Sequence, residues 1–133
     1  MHSPPLQTMD WIGPTIGAAV FVAIMSLPRR QVRLRLNAVL AAGAAGVYLS
    51  GGLGPWELLY PALVTPLLYF AIGSFPLIGV AWLMHAAWDA VHHFYGNPIW
   101  PFMPTSSFGC IVFDTLIAIW FLLGAPSVVR SSP

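Results

Sequence analysis

Charge is what this sequence has least of. Only 7% of its 133 residues are Asp, Glu, Lys or Arg, against roughly a quarter in soluble domains. There is no lysine, which removes Schiff-base chemistry, and all five cations are arginines. A single cysteine, Cys110, excludes an intrachain disulfide and leaves the redox compartment undetermined. There is no phosphate-binding GxxxxGK[ST], no dinucleotide-binding glycine pattern and no nucleophile motif. LSGGL at Leu49 to Leu53 resembles the signature of transport ATPases, but nothing that should accompany it is present. The opening MHSPPLQTMD lacks the basic stretch of a secretory signal, so the first hydrophobic segment is expected to be retained as a helix. A net charge of +1 gives no support to nucleic-acid binding.

What fills the chain instead is apolar. Hydrophobic residues make up 58% and the mean hydropathy is +0.78, the composition of a protein whose solvent is lipid. Apolar runs at about 10–27, 37–53, 57–73, 76–95 and 108–124 each approach the roughly 20 residues that cross a bilayer as a helix. The expected fold is therefore all-α: a polytopic transmembrane bundle of five helices, with residues 1–133 as one integral membrane domain. Arg29, Arg30, Arg33 and Arg35 fall in the first expected loop and Arg130 in the tail. The positive-inside rule places both in the cytoplasm. That makes the bundle N-out and C-in, which agrees with an odd number of crossings. Trp11, Tyr48, Trp56, Tyr60, Tyr95 and Trp100 then gather near the outer ends as an interfacial belt.

Local signals refine these helices. Gly13 and Gly17 on the first, and Ala41 to Gly46 on the second, predict faces that admit close backbone approach. Pro61 and Pro66 predict a kinked third helix. Pro76 suits the start of the fourth, Gly96 and Asn97 its end, and Ser106 and Ser107 the cap of the fifth.

Against this background the ionisable residues of the fourth and fifth segments stand out. His85, Asp89, His92 and His93 fall within an arc of roughly 100° on one helix, so they should face the bundle, while Ala87, Ala90, Val91 and Phe94 face away. Counting roughly 1.5 Å per residue from the connecting loop puts Asp89 about 10 Å deep and Asp114 about 9 Å deep. Across an antiparallel hairpin the two carboxylates are level. Cys110 shares a face with Asp114, and Glu57 opens the third helix at the same outer surface. Taken singly, Glu57 and Asp10 read as solvated interfacial residues, His93 as a side chain reaching the headgroups, and Cys110 as a small hydrophobe.

Two carboxylates in low dielectric should share a proton, pair with protonated histidine, or bind a cation. The candidate catalytic residues are His85, Asp89, His92 and Asp114, acting as general acid and base on a lipid or isoprenoid-like substrate. The same groups with His93 form a candidate ligand set for a divalent transition metal. HxxxDxxHH resembles the histidine boxes of membrane di-iron hydroxylases, but four histidines in the chain, one at position 2, are too few for that full set. Three functional classes stay open. The first is a small membrane enzyme with a hydrophobic substrate. The second is a carrier of protons or a divalent cation, for which the inner half offers almost no polar path. The third is an accessory subunit, or self-associating protein, whose polar residues only lock helices together. Expected partners are membrane lipid, a hydrophobic small molecule, and a second copy or another membrane protein.

The stretch YLSGGLGPWE at Tyr48 to Glu57, and the run from GVAWLMHAAWDAVHHFYGNPIWPFMPTSSFGC through FDTLIAIWFLLGAPS at Gly79 to Ser127, resemble the DUF6010 family of small bacterial integral membrane proteins of unknown function. The resemblance implies a membrane bundle in the inner membrane of a bacterium. It implies no activity, cofactor or catalytic residue.

Overall fold

The computed structural model describes residues 3–49 and 51–130; His2 and Ser50 lie outside them. The fold is all-helical. Five α-helices follow one another: α1 Thr8–Met25, α2 Arg30–Ala44, α3 Leu59–Ala71, α4 Phe75–Tyr95 and α5 Ser106–Leu122, with a 3-10 turn Gly54–Leu58 leading into α3. No strand occurs among the described residues, only an isolated bridge between Trp100 and Met103. Thr8–Met25 is the one described helix long and apolar enough to cross a membrane, at a mean hydropathy of 1.4, and Ser106–Leu122 is a shorter apolar helix.

α4 is the hub, packed against α5, α3 and α2, while α1 packs on α5. The core between them is small-residue and aliphatic, with Ala38, Ala41, Val64, Ala71, Ile78 and Ala118 among its buried members. α4 and α5 approach closely at Gly79 of α4, where an added Cβ would lie 2.9 Å from the Ala118 carbonyl oxygen of α5. Only a residue with no side chain admits that approach. The expected Gly13 and Gly17 face of α1 makes no such contact: nothing lies near Gly13, and Gly17 meets Phe113 at an ordinary 3.6 Å.

Two local expectations need correction. The second helix begins at Arg30 and ends at Ala44, not at 37 and 53. Arginine is a strong helix former, so the segment with three arginines after Arg29 coils, and Arg33 is buried at 6% exposure instead of sitting in an aqueous loop. Beyond Ala44, turns and the left-handed Gly52 (φ 94°) and Gly54 (φ 58°) break the expected continuation. Pro61 and Pro66 both lie within α3, which runs helically from Leu59 to Ala71. The two serines at the start of α5 do not cap it. Ser106 Oγ accepts from the Trp100 N–H at 3.0 Å and Ser107 Oγ from the Ile99 N–H at 3.3 Å, so both brace the proline-rich connection to α4. At the start of α4 the expected stop and start signals operate, with Ser74 Oγ accepting from the Leu77 N–H and Pro76 in the first turn.

Candidate functional site

Four of α4's inward positions are polar: His85, Asp89, His92 and His93 are all buried, with Asp89 fully so. Ala87 and Phe94 face outward and Ala90 and Val91 are half-buried, as the arc argument requires. Because α4 and α5 run antiparallel from a short braced connection, Asp114 of α5 meets α4 at the level of His85 and Asp89. His85 Nδ1 lies 2.5 Å from Asp114 Oδ2 and 3.3 Å from Asp89 Oδ2. One ligand atom from each of these three residues lies within 4.8 Å of the other two.

The far side of the imidazole decides its chemistry. His85 Nε2 is 3.0 Å from the carbonyl oxygen of Ala44, at the last turn of α2. A carbonyl can only accept, so Nε2 carries the hydrogen and Nδ1 is the nitrogen left free to hold a proton or a cation. Asp89 has neither oxygen in a hydrogen bond, since its 3.3 Å approach to Nδ1 lacks the geometry of one. A buried carboxylate whose one basic neighbour is the imidazole it shares with Asp114 is costly, and something small and positive is what its surroundings call for. Tyr60 and Trp82 present their rings edge-on to His85 at 5.5 and 5.9 Å between centroids, so the walls are aromatic.

About two turns further along α4 the same construction recurs. His92 Nδ1 donates to the Trp88 carbonyl at 2.9 Å, which leaves Nε2 facing Glu57, 2.9 Å from Oε2 and 3.1 Å from Oε1. Glu57 is 3% exposed, correcting its reading as a solvated interfacial residue. Its Oε1 also accepts from the Leu53 N–H at 3.0 Å. The loop after α2 packs its backbone directly on this pair. A Cβ on Gly51 would lie 2.6 Å from His92 Nε2 and 2.9 Å from Glu57 Oε1. Gly51 therefore has a steric reason, and Gly52 and Gly54 a left-handed backbone, unconnected with nucleotide binding.

Tyr48 separates the two clusters. Its ring stacks on His92 with centroids 3.8 Å apart and 15° between planes, lies 6.3 Å from the His85 ring, and its hydroxyl donates to Ser107 Oγ at 2.8 Å.

The structure thus brings His85, Asp89 and Asp114 together, joins His92 to Glu57, and leaves His93 apart. His93 Nδ1 is buried without a partner beside Phe94 and Phe108. Cys110 is a half-buried free thiol outside the triad. It lines an apolar pocket of about 460 Å³ between α1 and α5, with Gly13, Pro14, Trp100 and Phe113. Asp10, at the rim of that pocket, accepts from Thr105 Oγ1 at 2.7 Å and from the Gln7 N–H at 2.7 Å. The carbonyls of Ala44 and Trp88, and the partition by Tyr48, were invisible to sequence reasoning. The only sequence signal near them is the glycine cluster that follows Tyr48.

Comparison with known proteins assigns a family and stops there. Residues 9–127 match the sequence pattern of a family of unknown function, DUF6010. No curated protein and no solved structure matches the chain. Since the match covers most of its length, the chain belongs to the DUF6010 family.

Proposed function

From that membership, which brings no activity with it, we propose that the chain is a multi-pass protein of a bacterial inner membrane whose buried His85–Asp89–Asp114 centre holds a divalent transition-metal ion. The membrane reading is supported by large apolar side chains exposed on α1, α2 and α3, such as Ile16, Val20, Val39, Leu63 and Phe70. Water would penalise so extensive an apolar surface and lipid would not. It is supported too by charge. α2 carries its arginines at the end where α1 and α5 finish, opposite the His92 end. The positive-inside rule makes the arginine end cytoplasmic, giving five crossings, N-out and C-in.

The metal reading rests on one observation above the others: a fully buried Asp89 whose two oxygens lack any hydrogen bond, facing His85 Nδ1 and Asp114. Two carboxylates and one neutral imidazole balance a dication. The oxygen and nitrogen donors suit borderline zinc or the harder manganese(II) better than copper(I), which prefers sulfur. Ala44 oxygen behind His85 acts as the outer carbonyl that orients a ligating histidine.

A second reading, metal-assisted chemistry on a lipid or isoprenoid-like compound, is favoured by the 460 Å³ apolar pocket. Its wall includes Cys110, one helical turn from Asp114, and its size is that of a small-molecule site. Elemental analysis of the purified protein in detergent tests the metal. Near-stoichiometric metal in the wild type, lost in an Asp89→Asn, Asp114→Asn double variant of equal folding, is expected. Metal-free wild type sinks the reading.

A further inference from the structure

On the outside of the bundle, α2 and α3 leave an open groove of about 530 Å³ between them, rising from the arginine end. Arg35, Ala38 and Ala42 line it from α2, and Leu68, Tyr69 and Ile72 from α3. Ala38 and Leu68 are buried in its floor, while Tyr69 and Ile72 stand exposed at its edge. Arg35 is the one charged residue of its lining. We propose that this groove holds an acyl chain of an anionic phospholipid of the cytoplasmic leaflet, with the Arg35 guanidinium on the phosphate of its headgroup. This rests on the membrane placement with the arginine end cytoplasmic, and not on the metal.

The groove has the profile of a ligand that is apolar along its body and negative at one end. Its size is that of a small-molecule site, and its walls are otherwise aliphatic or aromatic. Arg35 lies five residues into α2, about 8 Å along the axis from Arg30. Side chains lean toward the N-terminus of their helix, which here is the cytoplasmic end. The Arg35 stem therefore runs along the groove while its guanidinium snorkels to headgroup level, where its fork matches a phosphate.

Charge says that the anion comes from outside the chain. Arg29, Arg30, Arg33, Arg35 and Arg130 gather at this end, whereas all four acidic side chains, Asp10, Glu57, Asp89 and Asp114, lie toward the other. Among the described residues every ion pair joins a histidine to one of those distant carboxylates, and Arg33 alone of the arginines donates hydrogen bonds through its guanidinium. Arg35 is exposed and has neither kind of partner. Ala38 and Ala42 are small enough to admit a helix of a second copy. A copy inserted the same way up would bring arginines to this level and no acid, so it leaves Arg35 unanswered. Several cations at one membrane surface also favour a net-negative headgroup over a zwitterionic one.

The test is native mass spectrometry of the full-length protein in detergent, titrated separately with phosphatidylglycerol and with phosphatidylcholine of the same acyl chains. The wild type is expected to bind one phosphatidylglycerol about tenfold more tightly than phosphatidylcholine. Arg35→Gln should bring the two lipids within about threefold of each other, whereas Arg29→Gln, which removes the same charge outside the groove, should leave most of the preference. Ala42→Phe fills the groove without changing charge, and should weaken both lipids by about fivefold or more. No preference in the wild type, equal losses in Arg29→Gln and Arg35→Gln, unchanged binding in Ala42→Phe, or a wild-type dimer that excludes lipid would each overturn the groove site. Flotation with phosphatidylglycerol vesicles separates this from the membrane placement. Protein that floats but shows no lipid preference loses only the groove site, and protein that stays in solution without detergent overturns both.

Discussion

The bundle buries polar groups at both ends, and the two ends solve the problem in opposite ways. At the arginine end the charge is one cation. Arg33 donates to the carbonyls of Ala125 at 2.6 Å, Pro28 at 3.2 Å and Ser26 at 3.3 Å, and its guanidinium lies 5.9 Å from the ring centroids of both Phe75 and Trp120. Its charge is permanent and its acceptors are backbone, so no proton or ion is left to exchange. At the other end the charges are carboxylates facing imidazoles, and His85 and His92 each keep one ring nitrogen turned to a carboxylate while the other is tied to a carbonyl. One end is a clamp joining the α1–α2 turn, α2, α4 and the segment after α5. The other is where the metal is proposed to bind. A buried charge answered by main chain fixes structure, whereas one answered by titratable side chains leaves room for a ligand.

The contrast is most exposed at Arg33. Replacing it with leucine strips the donor from three carbonyls and should destabilise the fold by about 3–5 kcal/mol, the usual effect of removing one partner from a buried charged network. Thermal unfolding in detergent reads this. The metal bound per folded molecule should not change, and a parallel loss of metal would erase the distinction between the ends.

Gly51→Ala probes the other end at its most crowded point. The new methyl must displace His92 or Glu57, at about 1–3 kcal/mol for overpacking. The His92 imidazole nitrogen resonances should move with it, and unshifted resonances would show that the pair is not held by the glycine loop.

Asp89→Asn should be milder on the fold, within about 1 kcal/mol, because it removes a carboxylate that makes no hydrogen bond and leaves His85 its closer partner, Asp114. Metal content should nonetheless fall at least tenfold. If this variant unfolds as readily as Arg33→Leu, both ends are structural clamps and the comparison collapses.

The smallest effect belongs to Ala125→Gly. Ala125 has φ 49° in the turn that closes α5, where its N–H bonds to the Trp120 carbonyl and its own carbonyl receives Arg33. Glycine relieves a left-handed strain of about 1 kcal/mol but adds freedom to the unfolded chain. The net shift should stay within about 0.5 kcal/mol by the same unfolding measurement.

Much of this was legible before the structure, and the reasons for success and failure are physical. α1, α4 and α5 fall within two residues of their apolar runs because hydrophobic length and local stop signals act on single segments. The level of Asp89 and Asp114 followed from hairpin geometry, which needs only a short connection. α2 was misplaced because an arginine-rich stretch reads as loop when charge is weighed and as helix when propensity is. The pairing of His92 with Glu57, and the carbonyls that set both tautomers, depend on where α2 ends and how the glycine loop folds back. Those are tertiary facts with no local signature. Arg33 was hidden for the same reason, since its acceptors lie up to 92 residues away in sequence.

The contact of Gly79 with Ala118 is one of two fastenings on the α4–α5 hairpin. It lies near the arginine end, and Asp89 is ten residues further on, roughly 15 Å away. Beyond Asp89 the pair is closed again by the connection that Ser106 and Ser107 brace. The two carboxylates thus sit like a span between two piers, held level because the helices that carry them are pinned on either side.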